Sequence, residues 1–198
     1  ERLERYEVLA VMAHELAHVR RRHMVWLAFN VLAATMLITV LATPLIDRLG
    51  DAIIEAGGSF EVTMQRLEWV NAAGMGVVLL GVLGCFGWVS RRFEWQADAF
   101  AAVHLSGKGA TVVTASGLGS MQHALEAVAL FNGVQTSRQS WRHGSIDTRV
   151  ARLGRLEGVR VDRLPIDAIV GWVNLASLVV VVLAVAYLLF AMQTETMS

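Results

Sequence analysis

The sequence is short of charge, of cysteine and of any imbalance between acid and base, and each shortage excludes a class of protein. Cys85 stands alone, so no intrachain disulfide forms and nothing is learned about redox compartment. Seventeen basic residues balance seventeen acidic ones, leaving no global basic field for nucleic acid. Charged residues make up only 17% of the 198 positions against 55% hydrophobic ones, and the mean hydropathy is +0.51, too apolar for an ordinary soluble domain. Repeats and low-complexity stretches are also missing.

What the sequence has is three charge-free apolar runs, Met24 to Ile46, Trp69 to Ser90 and Ala168 to Met192. Each reaches the ~20 residues that a helix needs to cross a ~30 Å hydrocarbon layer. Five glycines in the second run, Gly74, Gly76, Gly81, Gly84 and Gly87, fit a membrane span with close helix packing. Arginines cluster at 20–22, at 91–92 and between 149 and 163, whereas the connector Asp47 to Glu68 is acidic. By the positive-inside rule the N-terminal segment and the stretch from Arg91 to Pro165 are expected in the cytoplasm, the connector and the tail after Met192 outside. Breaks are expected at Pro44, Gly57-Gly58, Gly107-Lys108-Gly109 and Gly158 to Pro165. The chain opens at Glu1, already inside its first helix, and reads as part of a longer protein whose leader or earlier spans would lie upstream. Sixteen arginines against one lysine point toward a GC-rich bacterium.

Before the first run stands His14-Glu15-Leu16-Ala17-His18. On a helix, residues i and i+4 share a face, so the two imidazoles can each give a nitrogen to one metal. Glu15 points elsewhere, free to act as general base on a water. No Gly or Pro interrupts the flanks, so local propensity favours the helix that the chemistry needs. A catalytic zinc takes three protein ligands and keeps a place for water. Arg21 and Met24 occupy the positions where an extended motif would supply a third His, so that ligand must come from another helix.

A hairpin of the first two runs returns the chain to the same membrane face, beside the motif helix. His18 lies six residues before Met24 and Glu94 four after Ser90. At ~1.5 Å per helical residue both fall within roughly 10 Å of the boundary. Glu94 is therefore the favoured third ligand, with Glu126 and Glu157 as other candidates. Asp98, one turn later, can orient the ligands by hydrogen bonding.

These residues carry a resemblance. His14-Glu-Leu-Ala-His18, two hydrophobic runs and then Ser90-Arg-Arg-Phe-Glu94-Trp-Gln-Ala-Asp98-Ala-Phe-Ala resemble the CAAX prenyl endopeptidase and HtpX-like family of integral-membrane zinc metalloproteases. Trp141-Arg-His143-Gly-Ser-Ile-Asp-Thr-Arg149 is similar to the family's His-Pro segment, with Arg six residues after His. The resemblance covers about residues 5–155. It implies one zinc on His14, His18 and Glu94, Glu15 as base, and His143 and Arg149 as accessories. His143 would donate to an oxyanion; Arg149 would pair with Asp98 or beside Glu15. Gly144 departs from the family's Pro and would loosen the loop, Ala17 replaces a frequent Gly, and the third run is unusual among relatives. His23, His104 and His123 match nothing and read as surface or packing residues.

The expected fold is all-α, polytopic membrane helices with a zincin-like core and a small cytoplasmic helical domain. The segments are 1–23 (motif helix), 24–90 (membrane hairpin), 91–165 (cytoplasmic domain with the third ligand) and 166–198 (last span and tail). The expected function is a zinc endopeptidase of a bacterial inner membrane acting on membrane or membrane-proximal polypeptides, with the bilayer and a polypeptide as partners, no nucleic acid, and no reading of oligomeric state. Rivals are a CAAX-type prenyl-protein endopeptidase, a hydrolase of another bond, and a non-catalytic zinc protein.

Overall fold

A computed structural model describes residues 4–196 of the chain. It is all-α, as expected, with helices α1 (Arg5–Arg20), α2 (His23–Glu55), α3 (Phe60–Leu105), α4 (Ala115–Phe131), α5 (Ile146–Gly154) and α6 (Pro165–Thr196). Among the described residues β structure is confined to two isolated bridges, Val112 with Arg160 and Ser140 with Gly144. Three helices, α2, α3 and α6, are long and apolar enough to cross a membrane. The first residues of the expected motif segment and the end of the tail expected outside lie beyond the described residues.

The chain divides into two compact units, one of Glu1–Ala28 and Gly87–Asn174, the other of Phe29–Phe86 and Leu175–Ser198. Compared with the four segments expected, the divisions fall four to seven residues inside the apolar runs. In the second unit Pro44 does not end the helix: α2 runs through it to Glu55. Proline removes one backbone donor, but a break amid apolar surroundings would strand several more donors and acceptors. The expected connector shrinks accordingly to the four residues 56–59, where Gly57 (φ +68°) and Gly58 (φ +139°) turn the chain. A Cβ on Gly74 or Gly81 would overlap Ile46 or Ile38, so these glycines let α3 lie close on α2. Ser177 of α6 donates to Asn30 Oδ1 of α2 at 2.6 Å.

The first unit is built on small residues. Ala10, Ala13, His14 and Ala17 form the buried stripe of α1, at the i, i+3, i+4, i+7 spacing of one helix face. On α3, Ala97, Ala101 and Ala102 are likewise buried. A Cβ on Gly117 would come within 2.5 Å of the Ala102 carbonyl, so only glycine permits the close approach of α4 to α3. Thr114 caps α4 by accepting from Gly117 N, and Ser145 caps α5 by accepting from Thr148 N. Packing of α4 against α1 and α5 brings Met121 and Leu153 to full burial, each contributing roughly 1.5–3 kcal/mol.

Candidate metal centre

His14 lies on the buried stripe of α1, His18 one turn on at its edge, and Glu15 off it and exposed. The His14 and His18 Nε2 atoms are 3.2 Å apart. Glu94 of α3 meets both, its Oε2 3.6 Å from His14 Nε2 and its Oε1 3.7 Å from His18 Nε2. Tetrahedral zinc with bonds of ~2.0–2.1 Å sets its ligand atoms ~3.4 Å apart, so this donor set fits the ion. Among the described residues it is the one group of His, Cys, Asp and Glu side chains close enough to hold a metal. Glu126 and Glu157, the other candidates, are exposed and outside it.

Behind the cluster, Asp98 is fully buried, its Oδ1 2.9 Å from His14 Nδ1, close enough for a hydrogen bond though poorly aligned for one. Arg149, held on the first turn of α5 by the Ser145 cap, grips Asp98 with two parallel bonds, Nε to Oδ2 at 2.8 Å and NH2 to Oδ1 at 2.6 Å. Its NH2 also lies 3.5 Å from Glu94 Oε2. Of the two pairings open to Arg149 in the sequence, this is the one with Asp98. His143 Nδ1 sits 2.9 Å from Glu94 Oε1, with its side chain half exposed.

The electrostatics follow from this crowding. Burial disfavours a charged His14, but the contacts with Asp98 and Glu94 outweigh it and push the imidazole up to about 9. Burial also opposes ionisation of Glu94, yet His14 and the Arg149 cation hold it down to about 2. Asp98 is shifted the same way, Arg149 again overcoming the cost of burial. His18, desolvated and beside His14, is lowered. Surroundings that draw a proton onto His14 draw a cation to the same lone pair.

Two features were not foreseen. His23 is buried between His18, with its Nδ1 2.9 Å from His18 Nδ1, and Gln96 Oε1, 2.9 Å from its Nε2, while its ring stacks on Phe93. Its usable signal was a polar residue at the very start of an apolar run. Gly144 adopts φ +76° in a tight turn, donating its N–H to Ser140 O at 2.9 Å. A proline there, fixed near φ −65° and lacking the N–H, would destroy the turn, so glycine shapes this loop instead of loosening it. His104 and His123 are exposed.

The cluster borders a cleft of about 1050 Å³ lined by Leu9, Met12, Leu16, Met121, Leu125 and Val128, with Glu15 and His143 also in its lining.

A model described as peptidase family M48 matches residues 1–157. The chain is also similar to Protease HtpX of Nitrosococcus oceani, 29% identical over 168 residues that cover 77% of this chain and 53% of that protein. It thus spans about half the length of the curated relative it matches. No solved structure matches. Because the family match takes in the motif helix, the turn of α3 that carries Glu94 and Asp98, and the loop of His143, the chain belongs to the M48 family of metallopeptidases.

Proposed function

We propose that the chain is the core of a zinc-dependent membrane endopeptidase, in a bacterial inner membrane with its site on the cytoplasmic side, that cuts membrane or membrane-proximal polypeptides in a quality-control role. The observation that carries the reading is Glu15, exposed in the cleft one residue from His14 and outside the ligand cluster. A site that only stored zinc would have no use for a carboxylate there.

His14, His18 and Glu94 would hold the zinc, which when bound would supply a Lewis acid for the scissile carbonyl and lower the pKa of a water. Glu15 accepts a proton from the attacking water and delivers it to the leaving amine. His143, anchored through Nδ1 on Glu94, donates from both nitrogens when protonated, and its second nitrogen serves the developing oxyanion. Asp98 and Arg149 hold His14 and Glu94 in place.

The apolar cleft favours hydrophobic polypeptide segments. A substrate held in the bilayer by its own apolar segment is concentrated near a membrane-bound site without added contacts. The decisive experiment compares full-length wild type with Glu15→Gln on a casein-type substrate, with and without chelator. The variant is expected to keep its zinc and lose turnover by about 10² to 10⁴-fold. Chelator-resistant activity, or an active Glu15→Gln, would end the metallopeptidase reading. Turnover of a farnesylated C-terminal peptide but not of an unfolded membrane protein would favour the CAAX-type rival. Topology is tested separately with single cysteines in a Cys85→Ser background: Gly57→Cys should label from outside intact cells and Lys108→Cys should not.

A further inference from the structure

Beyond the family match, which ends at residue 157, α6 sends one carboxylate back toward the ligand cluster. Asp167 is part of a chain of contacts within the first unit that no catalytic role absorbs. It begins at His18, whose Nδ1 lies 2.9 Å from Nδ1 of His23. His23 Nε2 lies 2.9 Å from Gln96 Oε1, and Gln96 Nε2 donates to Asp167 Oδ1 at 2.6 Å. Arg21 closes the chain by donating to Asp167 Oδ2 at 3.1 Å. His23 and Gln96 are almost wholly buried, at 2% and 4% exposure, so water cannot substitute for a missing partner. Arg22, the one described non-glycine residue at positive φ (+55°), makes the turn between α1 and α2 that brings His23 back beside His18. That conformation costs roughly 1–2 kcal/mol, so the close return of the chain is built in at some expense.

The protons along this chain can run in only one direction. An ionised carboxylate accepts and never donates, so the Gln96 amide must turn its NH2 toward Asp167. Its oxygen then faces His23 and requires a proton on His23 Nε2. In a neutral ring that leaves His23 Nδ1 as an acceptor, which requires the proton of His18 to sit on Nδ1. The lone pair of His18 is therefore on Nε2, the atom that faces His14 and Glu94. In the opposite arrangement the Gln96 oxygen would stand 2.6 Å from a carboxylate oxygen, a contact that nothing compensates.

We propose that His23, Gln96 and Asp167 are positioning residues that fix the tautomer and orientation of His18, so that its Nε2 lone pair is presented to the metal before the metal arrives. The inference rests on the reading of His18 as a zinc ligand. It makes the first turn of α6 a working part of the metal centre.

The test uses the full chain in detergent. In wild-type protein stripped of metal and labelled with 15N-histidine, His18 and His23 should resonate as the Nδ1–H and Nε2–H tautomers respectively. A His18 proton on Nε2 would overturn the proposal. Asp167→Asn, at a side chain about one-third exposed, lets the Gln96 amide turn either way. Zinc retention in chelator competition should weaken about 10 to 100-fold. The double variant Gln96→Glu with Asp167→Asn restores one direction, because the new carboxylate at position 96 accepts from His23 and the new amide at position 167 donates to it. Its zinc retention should recover to within about threefold of wild type. An Asp167→Asn protein that binds zinc as wild type does, or a double variant no better than the single, would remove the relay. Failure of the wild type to bind zinc would instead remove the ligand reading on which it stands.

Discussion

The two imidazoles of the α1 motif are backed in opposite ways. Behind His14 stands charge: the fully buried Asp98, gripped at two points by Arg149. Behind His18 stands a neutral ring and an amide, with a carboxylate only at the far end of the chain. Charge placed directly on a ligand raises its basicity and locks it electrostatically, but each buried ion depends on its partner. A neutral relay adds little field and fixes direction alone. The difference teaches that two ligands equivalent in the sequence motif need not be equivalent in energy: the His14 side should carry most of the stability of the site, and the His18 side its alignment.

The largest expected effect abolishes both sides at once. His14→Ala combined with Glu94→Ala takes away two of three ligands, and zinc content should fall from one per chain to none by metal analysis of the purified protein. Full occupancy in that variant would mean that the ion sits elsewhere, and the contrast between the two backings would lose its subject.

Next comes the contrast itself. Asp98→Asn leaves Arg149 buried against a neutral amide, a broken buried pair of the kind that costs about 3–5 kcal/mol. Asp167→Asn should cost far less, because both Asp167 and Arg21 are about one-third exposed and screened by water. Denaturant unfolding of the two variants side by side measures this. Equal losses would show that charge behind His14 confers no special stability.

How much of this was legible in the sequence depends on distance along the chain. The His14–His18 pair is a local pattern, and Glu94 followed from the return of a hairpin to one face, so both required only helical geometry. Pro44 misled because its effect depends on surroundings: the rule that proline ends helices assumes water ready to take the freed groups, and α2 runs straight through it. Gly144 misled in another way, since the family's proline suggested a rigid turn and the positive φ that replaces it was not readable from composition. His23 was missed because its partners Gln96 and Asp167 come from α3 and α6, and because His23 stands five residues after His18, off the shared helical face and across the turn at Arg22. A neutral relay has no motif spacing at all; it exists only once three helices have met.

A smaller effect is expected on the cleft side of Glu94. His143→Ala removes a group in contact with Glu94 Oε1 but leaves both imidazoles and both backings in place. Loss of one oxyanion donor should lower kcat by about 10² to 10³ with zinc content unchanged. If zinc is lost instead, His143 belongs with the ligand supports, and the site has three backings to compare.

The smallest effect separates the loop from the ligands altogether. Gly144→Ala places a Cβ in ordinary van der Waals contact, the nearest atom being Arg91 Cδ at 3.8 Å, so no clash is created. What changes is the backbone: φ of +76° is unfavourable for alanine, and the turn should lose about 1 kcal/mol. The Ser140 to Gly144 turn carries His143, and its two backbone bonds close on itself. Zinc affinity should therefore stay within about twofold of wild type while kcat falls, because a loop that spends more time open leaves His143 off Glu94. Gly144→Pro should exaggerate the same split, since it also deletes the N–H that closes the turn. Matched losses of zinc affinity and turnover in these two variants would mean that the loop supports the ligands directly, and that the division of labour between the backs of His14 and His18 extends to the face of Glu94.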